Sequence, residues 1–343
     1  MQVFLFYLNH KFMKNYLDSI GFDVSKNTLD VVMHNSQQHR QFENSLKGFR
    51  AIISWINKTK VPLNDILFCF EHTGWYSLQL CWFLQEQGLS FHCVPPLHLK
   101  RSLGLRRGKS DKADAFDIAR YAWVNREDII LSHAPARELI DLQRMLTLRD
   151  QFVKQSTALK NQEHAMKLVA KKTSSDQGLK ILTQSLRVQQ KLTLKLEKQM
   201  EILIIKTPIL ASNYFLLRSI TGIGMILALR LIVHTHNFSR FQSWRQFSAY
   251  CGLAPYPFQS GTSIFRNPKT HPICDKHMKS LLTMAAISAI QSDPELKIYY
   301  NKRVDEGKNK MSAINIIRNK IVARAFAVVK RQTPFIILAK FAA

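Results

Sequence analysis

A five-residue apolar run, Ile66-Leu67-Phe68-Cys69-Phe70, stops on a carboxylate, Glu71. A run this short, with no polar position, suits a strand buried on both faces rather than the half-solvated strand of a sandwich. Such a chain has to cover a sheet with helices on both sides and to leave an acid at the end of a central strand. The neighbouring segments supply the rest. Leu17 to Val24 and Thr28 to His34 read as strands joined by the turn Ser25-Lys26-Asn27, and a more polar strand fits Arg40 to Glu43. Ser45 suits the N-cap of a helix to about Lys58, with Leu46, Phe49, Ile52, Ile53 and Ile56 inward. A helix through Trp75 to Gln87 and a strand from Ser90 to Val94 follow. After Pro95-Pro96 comes a basic segment with Lys100, Arg101, Arg106, Arg107 and Lys109, leading into a helix from about Asp111 to Trp123.

Three strands, helix, strand, helix, strand, helix is the order of the ribonuclease-H-like fold, here an α/β unit over 17–130. In that order Asp23 lies on the first strand, Glu71 at the end of a central strand, and Asp111 and Asp114 three apart on one helix face. Carboxylates gathered in this way repel one another unless a cation neutralises them. Hard oxygen donors suit Mg²⁺ or Mn²⁺, which can stabilise the attacking and leaving oxygens of a phosphodiester displacement. Any one of these acids alone reads as a solvated surface charge; the set is what carries the expectation. Asp117, next on the same helix face, reads as structural or salt-bridged, Asp30 as solvent-facing and Asp65 as a turn acid.

The charge balance points the same way. Lys and Arg number 49 against 24 Asp and Glu, a net charge of +25 over 343 residues. That surplus is a footprint for phosphate, because each neutralised phosphate releases condensed counterions. From Lys206 onward 20 basic residues face 5 acidic ones, so the last part of the chain is the expected main grip on nucleic acid. A generic basic or membrane-surface protein is the blander reading of the same charge. No apolar run approaches the roughly 18 residues of a membrane span, and the opening VFLFYL lacks the basic flank and cleavage site of a signal peptide. Residues 1–16 are expected to be a dispensable extension, with Met13 as an alternative start. The five cysteines form no CxxC pair and fit free thiols in a reducing cytoplasm; His271, Cys274 and His277 lack the second cysteine pair of a zinc site.

Residues 135–205 change character, with Leu, Gln and Lys dominant, and read as a long helical hairpin. Leu182, Leu186, Gln189, Thr193, Leu196, Met200 and Leu203 recur at heptad-like intervals, which fits a coiled-coil arm between subunits or packing against the chain's own body. In the last region, 206–343, Thr221-Gly222-Ile223-Gly224 lies between apolar helical stretches. Gly222 and Gly224 either let backbone N–H groups approach a phosphate or make a tight turn between core helices. A loop-rich stretch from Gly252 to Pro272 follows, then helices from about Asp275 to Gln291 and Lys310 to Lys330. Within the loop, Ser260 precedes Gly261, exposed and approachable as a nucleophile has to be, with Arg245, Arg266 and Lys269 as cations for a phosphate. By itself, a Ser-Gly pair in a loop is far more often the signature of a plain turn.

Five motifs in order resemble one family. Gly21-Phe22-Asp23-Val24-Ser25-Lys26, Glu71-His72-Thr73-Gly74, Lys109-Ser110-Asp111-Lys112-Ala113-Asp114-Ala115, Ile220-Thr221-Gly222-Ile223-Gly224, and Gly252-Leu253-Ala254-Pro255 with Gln259-Ser260-Gly261 look like the successive motifs of the DEDD transposases of the insertion-sequence one-ten (IS110) family, which includes the Piv-type DNA invertases. The resemblance runs from Asp23 to about Arg331. It implies a RuvC-like N-terminal domain whose acids, Asp23, Glu71, Asp111 and Asp114, hold Mg²⁺ or Mn²⁺, and a mainly α-helical C-terminal transposase domain whose Ser260 attacks DNA. It further implies a phosphoserine link, an active centre completed by the acidic site of a partner subunit in a homo-oligomer, and a noncoding bridge RNA that pairs with donor and target DNA. The setting so implied is the nucleoid of a prokaryotic cytoplasm. Ile264 to His277 lacks the glycine- and arginine-rich loop common in relatives, and Ser263 is an alternative nucleophile. Two other readings stand beside this one: a RuvC-like junction nuclease that uses water, and a non-catalytic nucleic-acid-binding derivative.

Overall fold

The computed structural model describes residues 15–102, 104, 110–170, 177–260 and 264–336. They divide into two compact units, 1–134 and 135–343. The Arg106, Arg107 and Lys109 cluster, Ser263 and nearly all of the expected extension lie outside the described residues.

The first unit is a mixed sheet of five strands clothed by helices. β1 (Asp18–Val24), β2 (Thr28–Met33) and β3 (His39–Glu43) form an antiparallel meander. β4 (Ile66–Glu71) then pairs in parallel with β1, and β5 (Phe91–Val94) in parallel with β4, giving the order β3-β2-β1-β4-β5 with β1 at the centre. The helices are α1 (Leu46–Ile56), α2 (Leu78–Glu86), α3 (Pro96–Ser102) and α4 (Asp111–Val124). Ser45 caps α1 by accepting the Gly48 N–H, and Phe49, Ile52 and Ile56 are buried, although Leu46 at its first position is exposed.

Strand alternation sorts the sheet into two faces. Ile20, Phe22 and Val24 of β1, Leu29, Val31 and Met33 of β2, and Phe68 and Phe70 of β4 share a core with Phe49, Ile52, Leu80 and Leu84 of α1 and α2. On the opposite face Leu67, Cys69 and Val94 pack with Leu99 of α3 and with Ile118 and Ala122 of α4. The apolar run of β4 has no polar position because both of its faces are covered.

α4 reaches β1 through backbone. A methyl group on Gly21 would lie 2.2 Å from the Ala115 carbonyl oxygen and 2.3 Å from the Ala119 nitrogen. Two residues earlier on the same strand face, the Ser19 hydroxyl donates to the Ala119 carbonyl at 2.8 Å.

The second unit is helical: α5 (Arg137–Ala170), α6 (Gln177–Lys206), α7 (Pro208–Arg218), α8 (Met225–His234), α9 (Trp244–Tyr250), α10 (Lys276–Ser292), α11 (Pro294–Asp305) and α12 (Lys310–Arg331). Between α9 and α10 stands an antiparallel hairpin, β6 (Pro255–Ser260) and β7 (Ile264–Thr270), in place of the expected loop. Its register shifts between Tyr256 and Phe258, at Pro257, a bulge that accommodates a residue with no N–H for the ladder.

α5 and α6 form the expected hairpin, and its base belongs to the body. Leu139, Leu142 and Leu146 of α5 and Met200 and Ile204 of α6 join one core with α7, α8, α10 and α12. The heptad-like stripe of α6 meets α5: Gln189 donates to Gln155 at 2.5 Å and Glu197 pairs with Arg149 at 2.7 Å, so a polar member of that stripe has its partner within the hairpin. Among the described residues no single helix is long and apolar enough to cross a membrane.

Gly21→Ala should force α4 off β1, lowering stability by about 1–3 kcal/mol in denaturant unfolding. A loss near the few tenths expected of a surface substitution would mean that α4 is free to shift.

Candidate active site

Strand register builds the acidic site. Gln41 of β3 opposes Asp30 of β2, and Asp30 opposes Asp23 of β1. Phe22 pairs with Phe70, so the next residues, Asp23 and Glu71, are neighbours at the carboxyl ends of two parallel strands. Because Phe22, Phe70, Leu29 and Val31 point into the α1/α2 core, alternation turns Asp23, Glu71 and Asp30 to the α4 side.

α4 contributes from above. Ser110 caps it by accepting the Ala113 N–H at 3.3 Å, and Asp111 and Asp114 occupy its first turn. That turn carries the positive end of the helix dipole and is the one place on the helix where acids are intrinsically favoured. The contacts at Ser19, Gly21, Ala115 and Ala119 run α4 antiparallel to β1, so the start of the helix lies toward the end of the strand that holds Asp23.

The electrostatics register the gathering. Asp23 is half-buried, and its pKa is pushed from 3.8 up to about 6 by burial first, then by the fields of Asp111, Asp114, Asp30 and Glu71. Four carboxylates therefore act on a fifth. Among the described residues no three His, Cys, Asp or Glu side chains close into a complete metal cage. That is compatible with magnesium, which keeps several waters and is held through one or two carboxylates together with substrate phosphate. The donor set is hard, anionic and short of positive charge, so the residues fit the ion.

Asp30 corrects the expectation of a solvent-facing acid. It is 6% exposed, with Oδ1 2.7 Å from His39 Nε2 and Oδ2 accepting from Gln41 Nε2 at 3.0 Å. With both oxygens bound, its carboxyl group is held in place opposite Asp23. The signal was available: a hairpin turning at Ser25-Lys26-Asn27 sets position 30 opposite position 23. Asp117 is buried on α4.

In the second unit, Ser260 is the last residue of β6, opposite Ile264 at the hairpin end. Lys269 lies on β7 opposite Tyr256, with Arg266 opposite Phe258 on the same strand. Arg245 is exposed on the first turn of α9, its guanidinium 4.8 Å from the Trp244 ring centre. Lys100 and Arg101 are exposed in the last turn of α3.

Gly222 has φ +92°, and a Cβ there would meet the Ala285 carbonyl of α10 at 2.5 Å, so the close approach it permits is to a core helix. Gly224 is the exposed N-cap of α8. His271 accepts from the Ile273 N–H, and His277 lies 3.8 Å from Asp150, so the His271, Cys274 and His277 set does not converge.

Comparison with known proteins identifies the family. A transposase family model of the DEDD IS110 type matches residues 20–168, which hold all four acids. A second, described as the transposase IS116/IS110/IS902 family, matches residues 214–301, which hold Ser260. The pilin gene-inverting proteins of Moraxella bovis and Moraxella lacunata are each 29% identical over 322 residues, covering 92% of this chain and 97% of theirs. An uncharacterized 43.6 kDa protein of insertion element IS110 from Streptomyces coelicolor is 26% identical over 117 residues, 34% of this chain and 29% of its own. A mixed α/β unit with converging carboxylates, followed by a helical unit, is the build of a DNA transposase or recombinase. The chain belongs to the IS110 family of transposases. α12 lies beyond both matched spans.

The raised pKa of Asp23 has a pH signature. The folded carboxyl keeps its proton to about pH 6, whereas in the unfolded chain it is released near 3.8. The stability contribution is therefore greatest in acid, falls between about pH 4 and 6, and stays low above that. Mn²⁺ or Mg²⁺ should raise the thermal unfolding midpoint clearly at pH 7.5 and little at pH 5, and Asp23→Asn should flatten both the decline and the cation response. Equal cation responses at the two pH values would disconnect Asp23 from the metal.

Proposed function

We propose that this chain is a magnesium-dependent, RNA-guided DNA recombinase that excises and inserts its own element, with the first unit as a RuvC-like catalytic domain. The convergence of Glu71, Asp111 and Asp114 on Asp23 carries the reading. When bound, the cation supplies positive charge at the attacking and leaving oxygens of the phosphodiester. Asp23, Glu71, Asp111 and Asp114 hold and orient it. They are most competent above about pH 6, where Asp23 has given up its proton.

The Ser260 hydroxyl attacks phosphorus, loses its proton to a base, and releases a DNA hydroxyl, leaving a phosphoserine that the reverse displacement resolves onto a new strand. Its place as the last residue of β6, next to the hairpin turn, supports this role. Arg245, Arg266 and Lys269 neutralise the phosphates alongside, while Lys100, Arg101, Arg106, Arg107, Lys109 and the exposed N-cap Gly224 add backbone contacts. A bridge RNA chooses donor and target by base pairing, leaving the protein to read backbone and shape. The protein works as a homo-oligomer at the bacterial nucleoid, with the acids of one subunit completing the centre around Ser260 of another. Ile181, Val188 and Leu194, all exposed on α6, support the hairpin as the joint.

Site-specific inversion without a guide is the second reading, favoured by the likeness to the pilin gene-inverting proteins over 97% of their length.

Ser260→Ala should abolish both the covalent protein–DNA adduct and strand exchange while leaving DNA binding within about threefold, a change near the noise of one lost neutral contact. Retained exchange would leave hydrolysis by water as the chemistry. Asp23→Ala and Asp114→Ala should each lower exchange on the order of a hundredfold or more. RNA sequencing of the purified protein should recover one discrete species encoded beside the gene. Without it, protein-only inversion becomes the better account.

A further inference from the structure

Among the described residues the helical unit buries two arginines, Arg230 and Arg318, and one of them has a carboxylate partner. Arg230, 7% exposed, is bound to Asp150. Arg324 is gripped by Asp293 at 2.7 Å and Glu295 at 3.0 Å. Arg318 of α12 is 4% exposed, and among the described residues no carboxylate pairs with it. Its Nη1 donates to Asn315 Oδ1 at 3.3 Å, and its Nε is buried with no hydrogen-bond partner. Burial lowers its pKa, and no neighbouring charge opposes that. A guanidinium does not discharge in a protein, and a buried charge without a partner is costly.

The surroundings are rich in donors. Asn315 Nδ2 donates to the Leu253 carbonyl at 2.8 Å, and Asn319 Nδ2 reaches the same oxygen at 3.5 Å. The Leu253 N–H in turn bonds the carbonyl of Ser248, whose own hydroxyl is buried without a partner. Asn315, Leu253 and Ser248 thus form a hydrogen-bonded chain from Arg318 to the Gly252-Leu253-Ala254 turn. β6 begins directly after that turn, at Pro255, and ends at Ser260.

We infer that Arg318 is the anchor of an anion subsite at the root of the β6–β7 hairpin, and that the anion it takes is a phosphodiester of the nucleic-acid backbone. Arginine presents a planar fork of donors that matches phosphate, and its attraction strengthens where water does not compete. The phosphodiester source rests on the nucleic-acid reading above, whereas the anion subsite itself does not. Binding here also ties the turn that launches β6 to the substrate backbone.

The test uses the full chain and two variants, Arg318→Met and Arg318→Lys, in buffer free of phosphate and sulfate, with inorganic phosphate then added. The wild-type unfolding midpoint should rise with phosphate, as for any ligand that binds only the folded state. Arg318→Met should unfold at or above the wild-type midpoint before phosphate is added, because it removes an uncompensated buried charge, and should not respond to phosphate. Arg318→Lys, which keeps the charge without the fork, should respond weakly. On duplex DNA, Arg318→Met should bind about tenfold more weakly, with the slope of log affinity against log salt reduced by about one.

A lower starting midpoint for Arg318→Met together with no wild-type response to phosphate would show a purely structural arginine. Equal responses in wild type and Arg318→Met would place the anion elsewhere. A lost phosphate response with an unchanged DNA salt slope would overturn the nucleic-acid source. None of these readouts depends on strand exchange, so failure of the recombinase reading is scored separately.

Discussion

At Gly21 the backbone of a strand touches the backbone of a helix, and the site in the first unit follows from that contact. No side chain intervenes, so the Ala115 carbonyl occupies space that any other residue would fill with Cβ. The hydrogen bond from Ser19 to Ala119 holds the same line one strand step earlier. With α4 fixed in rotation and translation, Asp111 and Asp114 at its N-terminus are committed to the end of β1 where Asp23 emerges. Side-chain packing alone could slide by a rotamer; a backbone contact has no such slack. The apolar cores on both sheet faces stabilise this placement against the repulsion recorded in the raised pKa of Asp23. Site acids that oppose the stability of their own fold mark where a sequence departs from folding logic for function.

The second unit solves a different problem, that of stabilising a hairpin with three prolines, Pro255, Pro257 and Pro268. A two-stranded hairpin is at best marginal by itself. Here both ends are tied to helices: the Leu253 carbonyl to Asn315 and Asn319 of α12, and Thr270 to Lys279 of α10 at 3.2 Å. Gly252, φ +68°, packs so close to Cys274 that a Cβ would lie 2.5 Å from its sulfur. The strand that carries Ser260 is thus rooted in the helical core at the end where it begins.

Much of the first unit was legible because its signals are local. Alternation in Leu29-Asp30-Val31, the unbroken run before Glu71 and the capping Ser45 each specify one element without reference to the rest. The burial of Asp30 was not legible in this way, since it depends on His39 and Gln41 reaching across from an edge strand. The β6–β7 hairpin was hidden by its prolines, which lower strand propensity and become tolerable only at a bulge. Gly222 was visible as a turn, but that its missing side chain admits Ala285 of a helix some sixty residues further on is a tertiary fact. The acids Asp23, Glu71, Asp111 and Asp114 read as a set because Glu71 ends a strand, Asp23 lies next to the end of another, and Asp111 and Asp114 share the first turn of a helix. Whether they converge was decided by the Gly21 contact, which no local pattern announces.

Charge divides between the units with opposite unmet demands. In the first, ionisation of Asp23 above about pH 6 concentrates negative charge that the neighbouring carboxylates oppose rather than relieve. The second carries most of the basic surplus, and Arg318 extends that surplus into its interior. The two demands are of opposite sign, the acids calling for cations and Arg318 for an anion. This complementarity explains why a chain with a net charge of +25 retains a knot of carboxylates at all. If charge served only to grip nucleic acid, each of those acids would weaken the grip, and substituting them would tighten binding and stabilise the fold at neutral pH.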